Sequence, residues 1–218
     1  MSQFTEVVVE QGSEEWLAER LGNMTGSEFK NVLARIKTGE AAGRRNYRAQ
    51  LVVEILTGVA PERFKSAAMQ WGNDTEDLAA TTYMLHTGNV VEKCGFFKHN
   101  KHRIGVSPDR RIKNLKGCVE IKCYEIANHI QALRNAEMPA EHKPQVQGEI
   151  WATDSDFCDF VSFAPELPEN AQLFIQRIYR DDPYIRMLEA ELIEFEKEVM
   201  EEVQFVKSYN PAKELILA

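Results

Sequence analysis

The sequence predicts a mixed α/β (α+β) fold in which a central mixed β-sheet is flanked by helices, and three observations carry that expectation. Short segments that alternate with period two, such as Cys118 to Cys123 and Phe157 to Phe163, read as strands. They are interleaved with helical segments, the longest from Pro183 to Tyr209, where Ile185, Leu188, Leu192, Phe195, Val199 and Val203 form one apolar stripe opposite an acidic face. No internal repeat or low-complexity tract interrupts the 218 residues, a length that suits one domain over 1–218 with a substantial core.

Taken in order, the chain starts with a short β-rich segment at Val7 to Val9. Ser13 caps a helix that runs to Gly22, with a Glu soon after the cap and Trp16, Leu17 and Leu21 on the core side. A second helix is expected over Met24 to Arg35, capped by Thr25 or Ser27. Its exposed amides, with Arg20 and Ser27, would suit a phosphate, and ordinary capping explains the Ser and Thr equally well. A polar loop from Ile36 to Gly43 leads to a helix over Arg44 to Leu56. Lys37 and the arginines beyond the loop can meet a nucleic-acid backbone or form an ordinary solvated face.

A further helix is expected from Ser66 to His86. In its M69-Q-W-G-N-D-T-E76 stretch, Glu76 is either a metal ligand brought in from a helix or a surface acid. A strand over Val90 to Lys98 and a loop over His99 to Arg103 come next. After Cys123 the reading is helix from Tyr124 to Ala136, a break from Met138 to Pro144, and helix from Gln145 to Ala152 with Gln145 on the turn facing the preceding strands. Strands at Phe157 to Phe163 and Gln172 to Tyr179 flank a loop marked by Pro165 and Pro168.

The formal net charge of −8, from 26 basic and 34 acidic residues, argues against a simple basic nucleic-acid binder. The distribution weakens that objection, because acids concentrate from Glu189 to Glu202 while Arg44, Arg45, Arg48 and the basic residues from Lys93 to Lys116 come earlier. A local basic channel is compatible with an acidic whole. No apolar run approaches membrane-spanning length and the N-terminus lacks a signal-peptide pattern, so a cytoplasmic location without membrane association is expected. Cys94, Cys118, Cys123 and Cys158 show no CxxC spacing and read as reduced packing residues, and Cys94 with His99 and His102 fits no familiar zinc module.

The stretch from Ile104 to Cys123 carries the chemistry. It reads as two strands, starting at Ile104 and at Cys118, joined by turn residues Asn114 to Gly117. Alternation puts Glu120 and Lys122 on one face and Val119, Ile121 and Cys123 on the other, and the hairpin would bring Asp109 beside Glu120. Neighbouring carboxylates repel unless a cation sits between them, and Mg²⁺, an oxygen-seeking ion that commonly uses one or two carboxylates, resolves that conflict. Lys122 beside the ion can orient or deprotonate a water, or stabilise charge on a phosphate. Pro108-Asp109 followed by Glu120-x-Lys122 resembles the signature of the PD-(D/E)xK nuclease superfamily, which implies a restriction-endonuclease-like core.

Further blocks extend the likeness. E10-Q-G, E15-W, R20-L-G, T25-G-S-E, L56-T-G-V-A-P-E62, A68-M-Q-W-G72 to Glu76, S107-P-D109, E120-I-K-C123 and Q145-V-Q147 occur in an order that resembles the lambda exonuclease and YqaJ-type viral recombinase (alkaline exonuclease) family over most of the chain. The resemblance implies a Mg²⁺-dependent exonuclease, with Mn²⁺ able to substitute and two ions per site, that degrades the 5′-ended strand of linear duplex DNA processively to mononucleotides and leaves 3′ overhangs. It implies Glu76, Asp109, Glu120 and the Ile121 carbonyl as metal ligands, Lys122 as catalytic lysine and Gln145 as the glutamine that positions water. Arg20, Ser27 and Ser107 would hold the terminal 5′ phosphate, Met69 would be a wedge between terminal base pairs, and Lys37 would contact DNA. A homotrimeric ring and a single-strand annealing protein as partner are also implied. Arg110 and Tyr124 depart from the lambda protein, which has Gly and Pro there. An endonuclease with the same core and a non-catalytic DNA-binding recombination protein are the alternatives.

Overall fold

The computed structural model describes residues 2–60, 67–123 and 126–210, and at 67–70 and 72–74 it describes the backbone alone. Strand β1 (Phe4–Val7) and helix α1 (Glu14–Arg20) are followed by β2 (Met24–Thr25), α2 (Phe29–Val32), α3 (Ala42–Thr57) and α4 (Ala67–Thr87). Four short strands, β3 (Val91–Glu92), β4 (Phe96–His99), β5 (Ile104–Val106) and β6 (Arg110–Ile112), lead to β7 (Gly117–Lys122). The chain then runs through α5 (Ile126–Asn135), α6 (Lys143–Ala152), β8 (Phe157–Phe163), β9 (Leu173–Tyr179) and α7 (Asp182–Ser208).

The mixed α/β class holds, but the strands divide between two mixed sheets where one was expected. One has the order β1-β4-β5-β2, the other β3-β6-β7-β8-β9. In the second, β7 is the middle strand, antiparallel to β6 and parallel to β8. The division corrects two readings. The expected strand over Val90 to Lys98 is broken into β3 and β4, which belong to different sheets. Likewise β5 is not the partner of β7; the hairpin is β6 with β7, in which Arg110 faces Val119. Both breaks lie where the chain passes from one sheet to the other. At the first, a Cβ on Gly95 would come within 2.0 Å of the Val7 carbonyl oxygen, so only glycine fits. At the second, Pro108 interrupts the ladder, and its carbonyl accepts from Gln11 Nε2 at 2.8 Å and Cys94 Sγ at 3.1 Å.

Three helices differ from expectation. Helix α1 has its Ser13 cap, whose side chain accepts from the Trp16 amide, but it buries no residue and leaves Leu17 exposed. The expected helix over Met24 to Arg35 is a strand, a 3₁₀ turn at Gly26–Glu28 and the single-turn α2, with no side-chain cap. Pro144, read as part of a break, instead sits in the first turn of α6, where its missing N–H costs nothing.

All six stripe residues of α7 are buried, and they join Tyr47 and Leu51 of α3 and Ile150 of α6 in one core cluster. Phe195 stacks on Tyr47 with ring centres 5.9 Å apart. The acidic side of α7 is partnered within the chain. Glu198 binds Arg44 and Arg48, Glu191 binds Arg35, and Glu196 meets His102 Nδ1 at 2.7 Å. These pairs correct the reading of Arg44 and Arg48 as part of a basic channel. A second cluster forms on the other face of β7, where Val119 and Ile121 pack with Ala79, Ala80 and Tyr83 of α4. Strand β7 is therefore covered on both sides, by α6 on one face and α4 on the other.

Candidate active site

The alternation of β7 gives its two faces opposite characters, as expected. Val119 and Ile121 enter the second core cluster, while Glu120 and Lys122 share the other face. Glu120 is 1% exposed. Two donors hold its Oε1: Lys122 Nζ at 2.5 Å and Gln145 Nε2 at 2.6 Å. Its second oxygen is buried with no hydrogen-bond partner. Burial opposes the charge of Lys122, but Glu120 and Asp109 outweigh it and push the lysine's pKa up. With both carboxylates beside it, Lys122 is favoured as a cation.

Asp109 lies between β5 and β6. The β6–β7 hairpin brings it to Glu120, and its Oδ2 accepts from the Ile121 amide at 2.6 Å. Burial, then the charges of Glu120 and Glu76, raise its pKa well above the usual carboxylate range. Glu76 arrives on α4, from the opposite face of the sheet. Tyr83, two turns further along α4, anchors that helix by donating to the buried Asp159 Oδ2 at 2.7 Å, and Arg177 grips the same carboxylate through two bonds of 2.8 and 2.9 Å. Glu76 itself is bound by Arg110, whose Nη1 donates to Oε1 at 2.6 Å. The departure at position 110 thus sets a buried guanidinium beside a predicted ligand.

The sequence reading missed Glu149. It stands one helical turn after Gln145, a spacing that could have flagged it. It is 1% exposed, its Oε1 accepts from Gln145 Nε2 at 2.9 Å, and its Oε2 has no partner. Burial and the Glu120 charge push its pKa well above the usual range. Cys118 and Cys158, paired across β7 and β8, wall it in; their sulfurs and a Glu149 oxygen all lie within 4.8 Å of one another. All four cysteines are free.

Four carboxyl groups thus meet one ammonium and one guanidinium, and two carboxylate oxygens lack donors. That surplus of oxygen ligands and negative charge suits a divalent cation, but among the described residues the ligand atoms gathered within 4.8 Å of one another are those of Cys118, Glu149 and Cys158, and the expected set of Glu76, Asp109 and Glu120 is not drawn that close.

The remaining predicted residues gather only in part. Trp16 Nε1 donates to Ser107 Oγ at 2.8 Å, and the Arg20 guanidinium lies 4.0 Å from the centre of the same indole. Arg20 and Ser107 therefore meet through a half-buried tryptophan, where the helical pattern alone places that ring on the core side. The turn bearing Ser27 packs against the site, since a Cβ on Gly26 would lie 3.6 Å from Gln145 Cγ. Ser27 is exposed there. Lys37 is exposed on the loop between α2 and α3, whose Glu40 pairs with Arg44 and Arg48. The side chain of Met69, and Tyr124, fall outside the described residues.

Among solved structures, the chain is similar to an alkaline exonuclease, LHK-Exo, from Laribacter hongkongensis, at 35% identity and a TM-score of 0.82 over 94% of this chain and 100% of that one. LHK-Exo in complex with dAMP aligns at the same identity and coverage with a TM-score of 0.83. A phage-related exonuclease from Haemophilus somnus 129PT shares the fold, at 16% identity, a TM-score of 0.66 and 85% of this chain against 95% of that one. A search of curated proteins gives no match. The profile of the YqaJ-like viral recombinase domain matches residues 15–156, and with more than half of its length covered the chain belongs to that family.

Proposed function

We propose that this chain is a single-domain exonuclease that degrades the 5′-ended strand of linear duplex DNA to mononucleotides, leaving 3′ single-stranded overhangs. Family membership and the likeness to alkaline exonucleases support a DNA exonuclease role. The observation that carries the chemistry is the crowding of Asp109, Glu120 and Lys122, with Glu76 near enough to help raise the Asp109 pKa. That LHK-Exo was crystallised with dAMP supports a mononucleotide product.

In this reading Glu76, Asp109, Glu120 and the Ile121 carbonyl hold one or two Mg²⁺ ions, with Mn²⁺ able to substitute. Bound there, the metal supplies an activated water and neutralises charge on the phosphate. Lys122, kept protonated by its acidic neighbours, steadies the phosphoryl oxygens as charge builds on them. Gln145 orients the attacking water. Arg20, Ser27 and Ser107 hold the terminal 5′ phosphate, which fixes polarity by setting the chain end at one distance from the carboxylates. Met69 splits the terminal pair and Lys37 touches the backbone. A homotrimeric ring would give processivity, an annealing protein would take the emerging 3′ strand, and the setting would be cytoplasmic.

The test is digestion of 5′-phosphorylated linear duplex beside a covalently closed circle, with Mg²⁺ or with EDTA. Mononucleotides from the linear DNA alone, and only with the metal, are expected. Cutting of the circle would replace this reading with an endonuclease, and DNA binding without cleavage with a non-catalytic recombination protein. Lys122→Ala should abolish release, and Arg20→Ala should lose more on phosphorylated than on hydroxyl ends.

A further inference from the structure

Gln145 is gripped from two sides. Its Nε2 donates to Glu120 Oε1 at 2.6 Å and to Glu149 Oε1 at 2.9 Å. Glu120 Oε1, which also meets Lys122 Nζ, is an acceptor, Glu149 Oε1 accepts whether or not its other oxygen carries a proton, and a primary amide nitrogen carries two hydrogens. The two contacts therefore use both donors and fix which end of the amide is nitrogen. The amide oxygen is turned away from Glu120 and Glu149.

Glu149 is costly where it stands. It is 1% exposed, one of its oxygens has no hydrogen-bond partner, and two thiols line its surroundings. An apolar side chain of similar length would fill that space without the desolvation penalty. The carboxyl group provides two things that an apolar one does not, a polar contact with Glu120 and the second anchor on Gln145, and only the second holds the amide.

We propose that Glu149 is a positioning residue: it locks the Gln145 amide so that the carbonyl oxygen, and not the nitrogen, is offered to the reacting water. This rests on the nuclease reading above. The distinction matters chemically, because an attacking water has protons to donate and is aligned by an acceptor. An unlocked amide could turn its nitrogen toward phosphate oxygens, which would bind DNA without aligning the nucleophile. Loss of Glu149 should therefore lower kcat and spare KM.

The experiment compares wild type, Gln145→Ala, Glu149→Leu, Glu149→Gln and the Gln145→Ala/Glu149→Leu double variant on 5′-phosphorylated linear duplex with Mg²⁺. Glu149→Leu should lose ten- to a hundredfold in kcat with KM within threefold of wild type and Mg²⁺ affinity by calorimetry within twofold. The double variant should be no worse than Gln145→Ala. Glu149→Gln, whose own amide oxygen can accept from Gln145, should recover at least fivefold over Glu149→Leu. Independent multiplication of the two losses, a Mg²⁺ affinity that falls with Glu149→Leu, or no rescue by Glu149→Gln would each overturn the proposal.

A second readout needs neither DNA nor metal. The Gln145 side-chain amide protons, identified in ¹⁵N-labelled protein by their loss in Gln145→Ala, should exchange slowly with solvent in wild type and at least tenfold faster in Glu149→Leu. Equal exchange would overturn the lock. If Glu149→Leu does not fold, Glu149→Ser, too short to reach Gln145, is judged by the same criteria. A wild type that cleaves no DNA would end the nuclease reading, while the exchange rates would still decide on the lock.

Discussion

Arg110 Nη1 donates to Glu76 Oε1 at 2.6 Å, so a fixed cation of the protein occupies one side of a carboxylate predicted to bind a metal. The guanidinium also reaches Asp77 and is 4% exposed. Removing it as Arg110→Ala would leave the Glu76 carboxylate without its guanidinium partner. The metal-free protein should lose about 2–4 kcal/mol, less than a fully buried pair because Glu76 keeps partial contact with water. Mg²⁺ should then raise the melting temperature more in the variant than in wild type. Calorimetric melts with and without the ion check this, and equal shifts would refute it.

Trp16 links the two residues expected at the 5′ phosphate. Trp16→Phe keeps a ring beneath Arg20 but removes the indole donor that orients Ser107. One lost hydrogen bond of about 1 kcal/mol corresponds to roughly a fivefold rise in KM. It should appear on 5′-phosphorylated ends and be small on hydroxyl ends. Steady-state digestion of both substrates is the measurement.

Asp109 should be a cost to the metal-free fold. Its pKa is raised by burial and by Glu120 and Glu76, so its favourable neutral form is fully present below the unfolded carboxyl pKa and is lost as pH rises through the folded value. Asp109→Asn keeps an acceptor for the Ile121 amide and cannot ionise. The variant should melt higher than wild type without metal, with a gap that widens as pH rises from acid to neutral, while cleavage disappears. A lower melting temperature at neutral pH would contradict the charge crowding.

His142 gives the opposite pH dependence. Burial, helped by the Lys122 charge, lowers its pKa to about 4. The unfolded chain takes up a proton near pH 6.5 that the folded chain refuses until about pH 4, so stability falls as pH drops through that window. The loss attributable to this ring is at most about 3 kcal/mol. Denaturant titrations of wild type and His142→Asn between pH 7 and pH 4 should show a shallower decline in the variant.

Some of this was legible in the residues alone and some was not, for identifiable reasons. The stripe of α7 and the alternation of β7 were readable because a long helix and a central strand impose their own period on what they bury. Division of the strands between two sheets was hidden, because local alternation carries no information about which ladder a strand joins. The α1 tryptophan was misread as core: an amphipathic pattern cannot distinguish a ring that packs inward from one that serves Ser107 and Arg20. Arg44 and Arg48 read as a basic surface because Glu198, one of the two acids they share, lies about 150 residues away on α7, and the nearer one, Glu40, sits in a loop whose fold the sequence does not show. Glu149 escaped because an acid inside a buried helix face reads as noise until its turn-mate Gln145 is seen to hold it.

The passage between the sheets has a bearing on inheritance as well as on geometry. Pro108, whose carbonyl ties Gln11 and Cys94 together, immediately precedes Asp109. The position of that acid is thus set by a knot of three distant segments and by neither ladder alone. Exchanges at Gln11 or Cys94 would be transmitted to cleavage through one peptide unit. A survey of tolerated changes should find this seam as unforgiving as the pocket it supports.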